Sequence, residues 1–217
     1  MKPSSLARDT TLVIFAKAPE PGLAKTRLIP ALGKKGAAHL ADLLLQNAVK
    51  EALATSFESI ELCVTPDMKH PYWSSLIADS RIQLTQQVDG HLGERMSATA
   101  KRIIDKGRSV ILTGTDCPPL TTQRLLAAAS ALEQHDSVIY PVEDGGYSLL
   151  GIQQWHPSLF SDIPWSTDAV ANITLNRLKH LQWSCWEGEL LWDVDTPNDL
   201  SRLPSRFESP VISWSLE

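Results

Sequence analysis

The chain has 217 residues, 43% of them hydrophobic and 21% charged, and its 25 acidic against 20 basic side chains leave a formal charge of −5. That balance suits one domain with a substantial core and excludes a disordered, collagen-like or disulfide-dense chain. An acidic excess without a basic stripe also argues against a nucleic-acid partner.

Residues 11–17 (TLVIFAK) form a nearly continuous apolar run, the pattern of a strand buried on both faces. After a loop rich in Pro and Gly, residues 36–54 place Ala37, Leu40, Ala41, Leu44, Ala48 and Ala52 at helical spacing. Strands are predicted at 59–65, where Pro66 ends the run, and at 81–86; a helix is predicted at 92–106, stopped by Gly107. A strand at 109–113 and an alanine-rich helix at 121–133 follow, then two strands, 137–142 and 147–152, around Asp144-Gly145-Gly146. The chain closes with a helix at 168–180 capped by Thr167, a strand within 185–193 and a short helix at 196–203. This alternation predicts an α/β fold with helices on both faces of the sheet and ligand-binding loops on one rim. No linker or repeat interrupts it, so residues 1–217 read as one domain with a core of about 11–203. The apolar run 12–16 is too short for a signal-peptide core or a membrane span, and no membrane partner is expected. Cys63, Cys117 and Cys185 have neither CxxC nor metal spacing, which points to a reducing, cytoplasmic setting without zinc.

Four stretches have the residue types that chemistry needs. In residues 17–28, Pro19, Pro21 and Gly22 shape a fixed turn beside three cations, Lys17, Lys25 and Arg27. If that stretch is extended, Lys25 and Arg27 point to one side and suit phosphate oxygens; the competing account is a solvated basic turn. Gly114-Thr115-Asp116-Cys117-Pro118-Pro119 sets one acid at a buried strand's end, as a metal ligand or an Asx-turn. In residues 192–199, extended backbone would turn Asp193 and Asp195 the same way around a core-facing Val194, and two like charges on one face call for a cation between them. Hard carboxylate oxygens there suit Mg²⁺ or Mn²⁺, with Asp116 as a third ligand. Thr196, Pro197 and Asp199 are explained by helix capping alone. Glu143-Asp144-Gly145-Gly146-Tyr147 is first a tight turn; its other reading is close backbone approach to a substrate, with Asp144 as acid or base.

Taken in order, FAKAPEPGLAKTRL, LGERM, GTDCPPL, EDGGYSLLG, PWST and DVDTPNDL resemble the selenodomain-associated transferases, of the nucleotide-diphospho-sugar transferase (GT-A-like) superfamily. More distantly, the Lys25–Leu28 step is similar to that of 2-phospho-lactate guanylyltransferases. The resemblance implies a three-layer α/β/α sandwich with a mostly parallel mixed sheet. It implies nucleotide phosphates held by Lys17, Pro19, Gly22, Lys25, Arg27, Gly93, Arg95 and Gly114, and substrate held by Gly145, Gly146, Tyr147, Ser166 and Thr167. Asp116 with Asp193 and Asp195 would hold Mg²⁺ or Mn²⁺, and Asp144, Asp116, Lys25 and Arg27 would be the catalytic groups. The expected activity is glycosyl transfer from a nucleotide-sugar to a small-molecule acceptor, or else nucleotidyl transfer from an NTP, or nucleotide binding without turnover.

Overall fold

The apolar runs read as buried strands lie in the middle of a sheet covered on both faces. The computed structural model describes residues 9–76 and 79–207. Strands β1 (Thr10–Lys17), β2 (Ser59–Thr65), β3 (Ile82–Gln86), β4 (Ser109–Thr113), β5 (Ser137–Pro141), β6 (Tyr147–Ile152) and β7 (Cys185–Glu187) form one sheet in the order β3-β2-β1-β4-β6-β5-β7. The pairings β1–β2, β1–β4, β2–β3 and β5–β7 are parallel, whereas β6 runs antiparallel to both β4 and β5. The mixed, mostly parallel α/β sandwich is thus observed.

Among the described residues five helices cover the sheet: α1 (Ile29–Leu53), α2 (Pro71–Leu76), α3 (Leu92–Ile104), α4 (Thr122–Leu132) and α5 (Val170–His180). Side chains alternate across β1, so Leu12, Ile14 and Ala16 pack with α1 and α4, while Val13 and Phe15 pack with α3 and α5. A third cluster joins Leu28, Leu32 and Leu40 to Val194, Leu203 and Phe207, so the last part of the described chain lies against the start of α1. Among the described residues no helix is long and apolar enough to cross a membrane.

The strand expected within 185–193 is observed at Cys185–Glu187, and Leu191 further on bridges to Val142. Residues Pro197–Arg202 form a 3₁₀ helix. Helix α2 was not anticipated, because six residues are too few for a periodic signal. Thr167 does not cap α5: its Oγ1 donates to the Pro164 carbonyl (2.7 Å), and the helix starts at Val170. The Gly145 carbonyl takes over, accepting from Ala171 N (2.8 Å) and satisfying a free N–H of the first turn. This contact requires glycine, since Gly145 has φ +88° and a Cβ there would stand 2.1 Å from the Asp168 carbonyl oxygen.

One buried charge sits inside the sheet. Glu61 on β2 accepts from Thr85 Oγ1 (2.6 Å) and pairs with Arg102 of α3. Removing one partner of a buried pair strands the other's charge, although the partial exposure of Arg102 moderates the loss. Arg102→Ala is expected to cost about 2 kcal/mol, lowering Tm by roughly 4–8 °C. Adding Glu61→Gln should restore part of that in thermal denaturation.

Candidate functional site

The rim above the carboxyl ends of β1 and β4 collects the basic loop, Asp116 and the strap that carries Asp193 and Asp195. After β1 the chain turns at Gly22 (φ +85°) and again at Lys25, which adopts a left-handed conformation (φ 46°, ψ 46°) before the 3₁₀ turn Thr26–Leu28. The loop is therefore not extended. Lys25 and Arg27 still converge, but through the left-handed turn and the burial of Leu28, not through strand alternation.

Lys25 is the most enclosed of the three cations, its side chain only 6% exposed. Its Nζ lies 2.9 Å from Asp116 Oδ2 and 3.9 Å from Asp195 Oδ1, and it donates to the Val194 carbonyl. Arg27, well exposed, pairs with the other oxygen of Asp195. Val194 is fully buried, as its alternation with Asp193 and Asp195 predicts, and its N donates to the Asp116 carbonyl (2.9 Å). Asp199 accepts from Thr196 N (2.6 Å) and Asp195 N (3.1 Å), holding the strap's turn as the capping pattern implies.

Asp193 differs from Asp116 and Asp195: no described residue gives its carboxylate a salt bridge. Burial first, then the nearby Asp144 carboxylate, push its pKa up to about 6, against the opposing pull of Lys25. Asp144 caps its own turn, accepting from Gly146 N (2.8 Å), and leaves its carboxylate exposed on the rim. The tight turn and the rim-facing acid are thus properties of one segment. Asp144, Asp193, Asp195 and Arg27 line a charged trough together with Arg202. Spacing could not reveal Arg202: it lies 59 residues from Glu143, to which it is bound by two hydrogen bonds of 2.6 and 2.8 Å, and it stacks on Trp192 at 4.6 Å.

Other residues expected at the phosphates have local partners. Lys17 Nζ donates to the Leu23 carbonyl (2.8 Å) within its own loop. Arg95 donates to the Gly90 carbonyl (2.8 Å) and to Gln87 Oε1 (3.0 Å), bracing the approach to α3. Gly93 is buried where a Cβ would meet Trp165 Nε1 at 2.4 Å, so close packing explains it. Gly114, Gly146, Tyr147, Ser166 and Thr167 line a second cavity beside the trough, whose apolar side chains include Leu92 and Met96, the two ends of the LGERM segment.

Among the described residues no group of three His, Cys, Asp or Glu side chains is set to hold a metal ion. Among the described residues no cationic side chain bridges Asp193 and Asp195; the Lys25 ammonium lies instead between Asp116 and Asp195. A carboxyl whose pKa rises on folding binds its proton more tightly in the folded state, so its charge destabilises the fold as pH rises from about 3.8 through 6. In chelator, Asp193→Asn should therefore stabilise the protein at pH 8 by about 2 kcal/mol, after allowance for solvent screening. The gain should vanish at pH 4 in paired thermal melts.

Comparison with known proteins gives this geometry a context. A crystal structure of a candidate nucleotide-diphospho-sugar transferase from Desulfovibrio desulfuricans G20 superposes with a TM-score of 0.83 at 27% identity, covering 94% of this chain and 93% of that one. The 4-diphosphocytidyl-2C-methyl-D-erythritol synthase of Anaerococcus prevotii DSM 20548 shares the fold (TM-score 0.60, 10% identity, 89% and 93% covered). So does the manganese complex of Rv0371c from Mycobacterium tuberculosis H37Rv (TM-score 0.50, 14% identity, 93% and 99% covered). No curated protein matches significantly. The architecture is that of nucleotide-diphospho-sugar transferases and nucleotidyltransferases. The family described as "Uncharacterized protein conserved in bacteria (DUF2064)" matches residues 48–167, over half of the chain, and the chain belongs to that family.

Proposed function

We propose that this chain is a transferase acting on a nucleotide-activated substrate with a divalent cation, and that the reaction is glycosyl transfer from an NDP-sugar to a small-molecule acceptor. The observation that carries this reading is the convergence of Lys25 and Arg27 on Asp116 and Asp195 at the sheet rim, next to Asp144 and Asp193. It is supported by the likeness to the Desulfovibrio protein along nearly the whole of both chains.

The donor set fits a hard divalent ion in its chemistry. Asp116 keeps an exposed carboxylate, and Asp193 is a half-buried carboxylate that Asp144 pushes toward its neutral form. Asp116 and Asp193 would hold the ion, with Asp195 joining once it is released from Lys25 and Arg27. When bound, Mg²⁺ or Mn²⁺ supplies charge compensation for the departing diphosphate. Lys25 and Arg27 bind phosphate oxygens, the arginine through its planar fork. Asp144, exposed on the rim, accepts the proton of the acceptor hydroxyl. Gly146, which lines the adjoining cavity, brings backbone close to the substrate beside it, and Gly145 holds that turn through its packing on Asp168.

Nucleotidyl transfer is the second reading, favoured by the basic loop, which suits a triphosphate, and by the fold shared with the erythritol synthase. Titration calorimetry with a panel of NTPs and NDP-sugars, with and without Mg²⁺ or Mn²⁺, separates the two. Metal-dependent binding of one NDP-sugar supports glycosyl transfer; binding of one NTP alone moves the assignment to nucleotidyl transfer; no binding overturns both. Asp116→Asn should lower turnover roughly 100- to 1000-fold while the protein stays folded, with Tm lowered by the loss of the carboxylate nearest to the enclosed Lys25.

Lys25 links the two ligands, since an ammonium drawn onto phosphate leaves Asp116 free for the ion. Lys25→Met is therefore expected to tighten Mn²⁺ binding in the absence of nucleotide by roughly tenfold and to weaken nucleotide binding by at least as much, each one charge-pair's worth of free energy. Manganese titration followed by electron paramagnetic resonance checks the first part.

A further inference from the structure

The charged trough has an apolar neighbour. Between the carboxyl ends of β1 and β4, the amino end of β6 and the helices α3 and α5 lies a half-open cavity of about 230 Å³, walled by Phe15, Leu92, Met96, Leu112, Trp165 and Val170. Asp144, Ser166 and Thr167 line both spaces and so form the wall between them.

The polar groups of this chamber are Asp144 and Ser166 on the side of the trough, the buried Tyr147 hydroxyl and Trp165 Nε1, and three hydroxyls that are turned onto backbone. Thr113 Oγ1 donates to the Ser148 carbonyl (2.9 Å), Thr167 Oγ1 to the Pro164 carbonyl (2.7 Å) and Ser148 Oγ to the Tyr140 carbonyl (3.5 Å). Three hydroxyl protons are thereby spent on the chain's own backbone. A hexosyl group seated here would meet mainly carbon on the side away from the trough, and an unpaired polar group is costly to bury. Leu92, by contrast, stands 46% exposed at the first position of α3, where a polar residue would serve the helix better. Its place at the mouth gives that exposure a use, because apolar walls favour an apolar occupant.

We infer that the chamber takes a ring-sized apolar group of the acceptor, whose polar end reaches past Asp144 into the trough. The substrate class is a phosphate-bearing or hydroxyl-bearing compound with an aromatic or compact hydrocarbon body, not a free sugar. This rests on the reading of the trough as the phosphate site.

Calorimetry with phenyl phosphate, glucose 1-phosphate, inorganic phosphate and phenol on the full chain and on Leu92→Asp tests it. The exposed position and the favourable acid at a helix start keep that variant folded. Phenyl phosphate should bind at least tenfold tighter than glucose 1-phosphate or phosphate, and Leu92→Asp should abolish that margin without changing phosphate binding. Glucose 1-phosphate binding as well as phenyl phosphate, a margin that survives Leu92→Asp, or no binding of any aromatic probe overturns the inference. If phenol binds as well as phenyl phosphate and both weaken in Leu92→Asp, the chamber assignment stands and the phosphate reading of the trough fails. If only nucleoside monophosphates (GMP, UMP) respond to Leu92→Asp, the chamber holds the donor's base and the assignment to the acceptor is overturned.

Discussion

The site depends on one residue that does no chemistry. Val194 is sealed in a core formed with Leu28 and Leu40, its N–H is bound to the Asp116 carbonyl, and its own carbonyl accepts from Lys25. Three segments far apart in the chain meet at this backbone unit: the loop after β1, the loop after β4 and the strap beyond β7. Because the side chain between them is buried, Asp193 and Asp195 are held at the rim, and their mutual repulsion is imposed by packing. The favourable burial of Val194 and Leu28 offsets the cost of gathering like charges.

That imposed repulsion organises the electrostatics. Lys25 and Arg27 neutralise Asp116 and Asp195, but Asp193 is left facing Asp144, and its raised pKa reflects burial first and that unbalanced charge second. The left-handed backbone at Lys25 belongs to the same arrangement: a conformation that costs a non-glycine residue free energy persists where the surroundings determine it, and here it aims the ammonium between two acids.

Beside this charged region lies a space of opposite character. Gly145 is wedged against Asp168 so that its carbonyl can serve α5, and the 164–168 turn is thereby brought against the rim. The turn supplies Ser166 and Thr167 to both spaces, while Trp165 closes the apolar one. A polar and an apolar compartment with a common wall of three residues suit a substrate that is itself divided in this way.

The sequence by itself determined the sheet's strands, the two-faced core and the identity of the rim loops. Buried strands show as apolar runs and amphipathic helices as periodic ones, and both signals arise within a few residues. Alternation alone turned Asp193 and Asp195 away from Val194, and capping alone explained Asp199. What lay beyond local pattern was every pairing across the chain. Lys25 with Asp116, Arg202 with Glu143 and the Gly145 carbonyl with Ala171 are settled by which segments the core brings together. Thr167 illustrates the difference, a good cap by sequence that lost its place to a carbonyl 26 residues behind Ala171, at Gly145. Lys25 shows it at the site itself: residue type and spacing marked a phosphate-binding cation, but only the tertiary fold decided that it sits between the aspartates, because the distance between charges is a property of packing and not of spacing along the chain.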